Sequence, residues 1–407
     1  AKLNDDAISS QTALGAEPAD TDEFLVSDAG VLKRVDYSYI KGITQANFLP
    51  NANPIIINGD MAVAQRGTST TSNGALIDRW KVYEDTDGVI TYTTSTESPE
   101  EEGFTNSLKV ACSTADTSIA AAQYAQINYF IEGQDCQMFK YGTSSAETIT
   151  LAFWIRSKQT GTFCTNVIKA PGSGTRYEIA NEFTVSVADT WEKKIITMSP
   201  TAGSTSFITS AAGAIVDSNA NGYAFSITLA AGTDYHTTNN TWVAASDKMS
   251  TSNQTNFMSS TSNEIYITGV QLEVGEYSAT NIPPFQHETY AENLRRCERY
   301  YQLFPVASGP AYTIVGTGFA YSATNVSIWV PLRTPMRATP SFATTSNWSV
   351  FYAGAAQSFT PSFASDHSGP SDLLVQDTSV SGLTAGDAVT LRQNADASAR
   401  LKCDSEF

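Results

Sequence analysis

The sequence predicts an all-β chain: a jelly-roll β-sandwich plus a smaller C-terminal β-domain, one short linking helix and an N-terminal arm. Three observations carry the prediction. Apolar residues recur at every second position through most of the chain, the rhythm of strands with one buried face. Gly, Asn, Asp and Ser cluster between these stretches, as tight polar turns require. Charged residues make up only 16% of the 407 residues while aromatics reach 11%, so there is enough apolar surface to offset the entropy of ordering. That length allows two or three domains, each burying its own core.

Residues 1–50 form the arm. Acidic and small residues dominate it, and Gly15 and Pro18 interrupt any long helix. Within it Glu23 to Ser27, a turn at Asp28-Ala29-Gly30, and Val31 to Tyr37 read as a β-hairpin. A lone hairpin is marginal in water, so it calls for identical neighbours or a docking surface.

Residues 51–286 carry the sandwich. Ile149, Leu151, Phe153 and Ile155 alternate with Thr148, Thr150, Ala152 and Arg156, and Trp154 falls on the second face, which is therefore expected to be partly covered. Phe183, Val185 and Val187 repeat the rhythm, as do Phe225, Ile227 and Leu229. Between Glu264 and Leu272 the apolar set switches from Ile265 and Ile267 to Val270 and Leu272 across Gly269, the mark of a β-bulge.

Residues 287–304 are predicted as the helix. Tyr290, Leu294, Cys297, Tyr301 and Phe304 recur at helical spacing, Thr289 with Glu292 forms a capping box, Glu292 stands four before Arg296, and Pro305 provides the stop. The segment serves either as a spacer or subunit contact between two β-domains, or as a cover for the open end of the sandwich. Residues 305–407 return to strands, with alternation at Val326, Ile328 and Val330, at Trp348, Val350 and Tyr352, at Leu373 and Val375, and at Val389 and Leu391. No fixed-period repeat indicates a β-helix or propeller.

Charge and cysteine usage exclude several function classes. A net charge of −17 and the absence of a Lys/Arg cluster argue against nucleic acid and against anionic lipid, and favour solubility. Cys112, Cys136, Cys164, Cys297 and Cys403 are scattered and odd in number, with no zinc-type spacing, as expected for unpaired thiols in a reducing cytoplasm. The opening Ala1-Lys2-Leu3-Asn4-Asp5-Asp6 has neither the basic nor the apolar region of a signal peptide, and no apolar run approaches the roughly 20 residues needed to cross a bilayer. No membrane insertion is expected. His236, His287 and His367 lie in polar, turn-like stretches, no G-x-S-x-G elbow occurs and no Gly-rich phosphate loop follows a strand. Paired carboxylates for glycoside hydrolysis cannot be read from spacing alone, and the acidic run Glu97 to Glu102 reads as a solvated turn. No enzymatic activity, catalytic residue, cofactor or metal is expected.

Several stretches, in order, resemble the structural proteins of tailed bacteriophages, tail-fibre-like proteins above all. They are Asn53-Pro54-Ile55-Ile56-Ile57-Asn58-Gly59-Asp60 with Ala64-Gln65-Arg66-Gly67-Thr68 and Asp78-Arg79-Trp80; Thr150 to Ser157 with Asp189-Thr190-Trp191-Glu192-Lys193; Gly269 to Gly275 through Pro284-Phe285 to Cys297-Glu298-Arg299-Tyr300-Tyr301; and Pro331 to Pro340. The resemblance spans roughly residues 50–340 and the hairpin shares it more loosely.

The resemblance implies a virion appendage protein with a jelly-roll domain similar to carbohydrate-binding modules. It further implies a homotrimer, attached to other virion proteins through the N-terminal arm and contacting host surface polysaccharide. Such a protein is assembled in the host cytoplasm and released by lysis. A head fibre or capsid decoration protein with a mainly structural role is the alternative, and a polysaccharide depolymerase a second.

The loop from Gly232 to Trp242 is the glycan-contact candidate. Asp234, Tyr235, His236, Asn239 and Trp242 combine aromatic faces that stack on sugar C–H surfaces with hydrogen-bonding groups. Trp348, Tyr352 and His367 form a weaker candidate in the last domain. Trp154 and Trp191 read as core fillers, and Arg66, Asp78 and Arg79 beside Trp80 as an ion pair packed over an aromatic ring. Asp85-Thr86-Asp87-Gly88 resembles the opening of a calcium loop, but no glutamate follows to close an EF-hand.

Overall fold

The computed structural model describes residues 18–19, 21–40, 54–170, 175–306, 309–364, 367–377 and 380–407. The chain divides into two compact units, residues 1–53 with 277–286, and residues 54–276 with 287–407. Residues 1–17 and 41–50 of the arm lie outside the described residues.

In the first unit β1 (Glu23–Asp28) pairs antiparallel with β2 (Val31–Asp36), Asp28 opposite Val31. Ala29 and Gly30 between them both take positive φ, 48° and 83°. Such a two-residue turn has the twist that matches its strands, and glycine reaches it at least cost. Phe24 meets Tyr37 at 5.9 Å, while Leu25, Val31 and Leu32 stay exposed.

The second unit opens with β3 (Ser69–Thr70), β4 (Gly74–Ala75), β5 (Trp80–Asp85), β6 (Val89–Ser95), β7 (Ser107–Thr114) and β8 (Tyr124–Glu132). It continues with β9 (Ile149–Ser157), β10 (Gly161–Lys169), β11 (Tyr177–Val185), β12 (Glu192–Met198), β13 (Asn221–Ala231) and β14 (Glu264–Val274). They form two antiparallel six-stranded sheets, β11-β10-β13-β8-β5-β4 and β12-β9-β14-β7-β6-β3. The sheets bury one shared core, a jelly-roll sandwich in which Ile149, Leu151, Phe153 and Ile155 are fully enclosed, as their alternation predicts. The bulge is where the apolar set switches. The β14–β9 register shifts between Thr268 and Gln271, and Gly269 sits there at φ 60°. Val187, which extends the alternation in sequence, lies beyond the end of β11 and is exposed.

Helix α1 covers Tyr290–Cys297, capped by the Thr289 hydroxyl, which accepts from Glu292 N at 3.3 Å. It does not continue to Phe304. Tyr301–Phe304 is a strand, β15, in which Tyr301 faces Asp404 and Phe304 faces Leu401. Aromatic and large apolar side chains suit a strand as well as a helix, and the ladder offered by residues 401–404 decides between them. The expected Glu292–Arg296 pair is also replaced: Glu292 holds Arg295 at 2.6 Å and Arg296 turns to Glu288 at 2.7 Å.

The remaining strands are β16 (Ile314–Ala320), β17 (Val326–Pro331), β18 (Ser341–Thr345), β19 (Trp348–Tyr352), β20 (Ala355–Phe359), β21 (Ser362–Phe363), β22 (Asp372–Asp377), β23 (Ala388–Gln393) and β24 (Arg400–Asp404). A three-stranded sheet, β15-β24-β18, and a seven-stranded sheet, β20-β19-β23-β16-β17-β22-β21, enclose a second core. Val326, Ile328, Val330, Val350, Leu373, Val375, Val389 and Leu391 fill it.

A buried ionic cluster joins this core to the sandwich. Arg66 reaches Asp78 at 3.2 Å and Asp404 at 3.1 Å while stacking 3.8 Å above the Tyr301 ring. Glu132, fully buried, accepts from Arg299 at 2.6 and 2.7 Å and from the Tyr300 hydroxyl at 2.6 Å. Of the expected cluster, Arg66 does pair with Asp78, but Arg79 pairs with Glu406 instead, and the rings under the two guanidiniums are Tyr301 and Tyr300 rather than Trp80. All five cysteines are buried free thiols. Among the described residues no helix is long and apolar enough to cross a membrane, and no three His, Cys, Asp or Glu side chains converge as a metal site would need.

Candidate functional site

Strand β8 reads Tyr-Ala-Gln-Ile-Asn-Tyr-Phe-Ile-Glu. Its period of two sends Ala125, Ile127, Tyr129 and Ile131 into the sandwich core and leaves Tyr124, Gln126, Asn128 and Phe130 on the opposite face of the sheet. The neighbouring strands divide in the same way. Tyr83 of β5, Ser226 and Thr228 of β13, Asn166 and Ile168 of β10, and Glu178 and Glu182 of β11 share that outer face.

Half of this face is roofed by the segment between β13 and β14. Thr228 donates its hydroxyl to Met249 O at 2.8 Å, and Asn166 donates its amide to Lys248 O at 2.7 Å. The Glu178 carboxylate accepts from the backbone amides of Asp247 and Lys248, and Glu182 accepts from the Thr251 hydroxyl at 2.6 Å. Burial pushes the Glu178 carboxyl up, with Arg176 and the two amides opposing.

The uncovered half is a groove of about 340 Å³ over β5 and β8. Tyr83, Tyr124, Phe130 and Tyr235 give it aromatic walls. Tyr235 stands edge-on to Tyr124, with ring centroids 5.2 Å apart, and is anchored by its hydroxyl to Ala122 O at 2.8 Å. Burial raises the pKa of the Tyr83, Tyr124 and Tyr235 hydroxyls above the ordinary tyrosine value. The floor is polar. Gln126 donates to Ser226 at 2.9 Å and to Thr228 at 3.2 Å, which fixes its amide. Asn128, only 7% exposed, has its Nδ2 without a hydrogen-bond partner, and Asn221 Oδ1 on the same lining is likewise unpaired. A buried donor left unpaired costs free energy that a ligand hydroxyl would recover. One ion pair, Arg176 to Asp247 at 3.3 Å, closes the far end.

Of the residues singled out in sequence, Tyr235 lines this groove. Asp234 is exposed beside it, and its carbonyl accepts from Lys248 Nζ at 2.6 Å. His236 lies within 3.3 Å of Ala231 O through Nε2. Asn239 sits at the β11 edge, where its Oδ1 accepts from Glu182 N at 3.0 Å. Trp242 is corrected: it is 1% exposed, donates its indole N–H to Ser199 O at 2.8 Å and stands edge-on to Tyr141, so it offers no face to a sugar. Trp348 is likewise 2% exposed and bonded to Thr345 O, while the hydroxyl of half-buried Tyr352 donates to Gly382 O at 3.1 Å. Sequence reasoning passed over Tyr83, Tyr124, Gln126, Asn128 and Phe130. Their signal was the outward half of the β8 alternation, which is aromatic and amide-bearing where a solvated face would carry charge.

No protein-family model matches the sequence, and no curated protein matches it. Among solved structures, the enzymatically active domain of tailspike protein 4 from bacteriophage CBA120 is similar with a TM-score of 0.30 at 12% identity, covering 54% of this chain and 21% of that one. This chain thus spans about a fifth of the tailspike domain's length. A putative sugar binding protein from Bacteroides thetaiotaomicron gives 0.32 at 12% identity, covering 55% of this chain and 100% of its own. The family 11 carbohydrate-binding module of a cellulosomal cellulase from Clostridium thermocellum gives 0.26 at 11%, covering 52% and 97%.

Proposed function

We propose that this chain is a structural subunit of a phage appendage that holds host surface glycan in the groove over β5 and β8. The observation that carries the reading is the pairing of aromatic walls, Tyr83, Tyr124, Phe130 and Tyr235, with a floor of fixed and unpaired amides, Gln126, Asn128 and Asn221. Aromatic faces cover the C–H surfaces of a sugar ring while amides bond its hydroxyls, a combination that suits a saccharide better than an apolar ligand or a phosphate.

Binding fits the groove better than hydrolysis does. Glycoside cleavage uses two opposed carboxylates, and the acid on this lining is Asp247, already engaged with Arg176. The resemblance of residues 50–340 to phage fibre proteins supports a place on a virion. The exposed apolar side chains of the hairpin, Leu25, Val31 and Leu32, suit attachment or assembly of three copies. A homotrimer would repeat a weak groove three times and gain by multivalency.

The test is affinity electrophoresis of the full chain through gels holding host capsule or cell-wall polysaccharide. Retardation of the wild type, reduced about tenfold in apparent affinity by Tyr124→Ala, is the expected result. Free migration of the wild type, or shortening of the polysaccharide chains, would overturn it.

A further inference from the structure

The outer face of the C-terminal seven-stranded sheet carries aromatic side chains where solvent-facing positions are ordinarily polar. Phe319 of β16 and Trp329 of β17 are 41% and 42% exposed, and their rings stack with centroids 6.0 Å apart and planes 29° from parallel. Tyr321, just beyond β16, is 70% exposed. The three border a concavity of about 400 Å³ whose remaining walls come from residues including Asn325, His367 and Gln376. Gln376 donates to Ser327 at 3.2 Å across the β17–β22 pair, so the amide is held at the rim.

We infer that this concavity is a second saccharide site, selective for neutral sugars, on a different sheet from the groove of the first sandwich. The stacked Phe319–Trp329 pair is a ready platform for the C–H face of one pyranose ring, with Tyr321 placed for a neighbouring one. Asn325, Gln376, Ser327 and His367 supply donors and acceptors for hydroxyls. No Asp, Glu, Lys or Arg is among the described lining residues, so they offer no permanent charge to a carboxylate, a sulfate or a phosphate. The chain's charge of −17 further disfavours anionic ligands. Its concavity and polar rim suit a small ligand better than the flat, dry contact made between protein subunits. Sequence reasoning pointed to His367 in this domain but paired it with Trp348, which is buried; the exposed aromatics come from β16 and β17 instead.

Neutral soluble polysaccharides, a β-glucan, a galactomannan and a dextran, serve as probes in affinity electrophoresis of the full chain. The groove is first disabled by Tyr83→Ala with Tyr124→Ala, so that the two sites fail separately. Retardation by at least one neutral polysaccharide is expected to persist in that background and to fall about tenfold on adding Trp329→Ala or Tyr321→Ala. Tyr321 is mostly exposed, so its removal does not threaten folding. Free migration of the groove-disabled chain in all three gels overturns the inference, as does retention that survives both aromatic substitutions. A changed sedimentation coefficient of the sugar-free protein on losing Trp329 or Tyr321 also overturns it, because the patch would then be a contact between copies.

Discussion

The Arg79 guanidinium lies 3.4 Å above the centre of the Tyr300 ring, so a positive charge is stacked on an aromatic face where the sandwich meets the C-terminal strands. The Arg79 side chain is 1% exposed, and its charge is answered by Glu406, itself 3% exposed. Burial works against the charged guanidinium, but Glu406 and the surrounding tyrosines outweigh it and hold the pKa above its ordinary value.

Removing one partner therefore leaves the other poorly paired. Arg79→Ala is expected to lower unfolding free energy by about 2–3 kcal/mol, read from the urea midpoint, because buried Glu406 keeps only the longer contact to Arg66 at 3.8 Å as its ion pair. Arg79→Met with Glu406→Met should recover most of that loss. A double variant no better than the single one would show that stacking on Tyr300, and not the charge pair, holds the joint.

Gly269 makes the bulge in β14 possible for two separable reasons. Its φ of 60° belongs to the left-handed region, and a Cβ placed there would stand 2.6 Å from Phe104 Cζ. Gly269→Ala is expected to cost about 2–3 kcal/mol in thermal or urea unfolding. In a Phe104→Leu background the cost should shrink to the backbone share, about 1 kcal/mol. An unchanged cost would remove the ring contact from the explanation.

The pH dependence of stability has a marker in Glu264. Burial alone would raise its carboxyl, but hydrogen bonds from Lys158, Lys109 and Tyr266 outweigh that and hold it down to about 2. A folded-state pKa below the unfolded one adds stability above the unfolded value of about 4.5, which is lost as pH falls toward 2. The side chain is 20% exposed, so screening reduces the contribution to about 1–2 kcal/mol. Glu264→Gln should flatten unfolding free energy between pH 4.5 and 2 relative to the wild type, as followed by urea titration. Parallel pH curves for the two proteins would exclude this residue as a source of acid sensitivity.

Asn128 should separate stability from binding. Replacing its unpaired, buried amide by Asn128→Leu is expected to raise stability by about 1 kcal/mol while weakening glycan retention in the gel. A destabilised Asn128→Leu chain with unchanged retention would show that the amide serves the sheet and not the ligand.

Much of the fold was legible because strand alternation and turn chemistry are local. The hairpin at Asp28 to Val31 needs only an Ala-Gly pair that accepts positive φ. The bulge shows in sequence as a switch of the apolar set across Gly269. Tyr301–Phe304 was misread because its spacing satisfies a helix in isolation, and its strand partner stands about 100 residues later, in β24. Trp242 looked like a loop aromatic among Thr and Asn, and nothing in those neighbours reveals that Ser199 and Tyr141 enclose it.

The order of residues was sufficient to say which side chains share a face, because successive residues of a strand point to opposite sides. It could not say which faces would be covered. The groove exists because the segment around Lys248 roofs one half of a sheet and leaves β5 and β8 bare, and the aromatic concavity exists because β16 and β17 pair with their rings outward. Those outcomes depend on contacts between residues far apart in the chain, whose closure is a matter of three-dimensional packing.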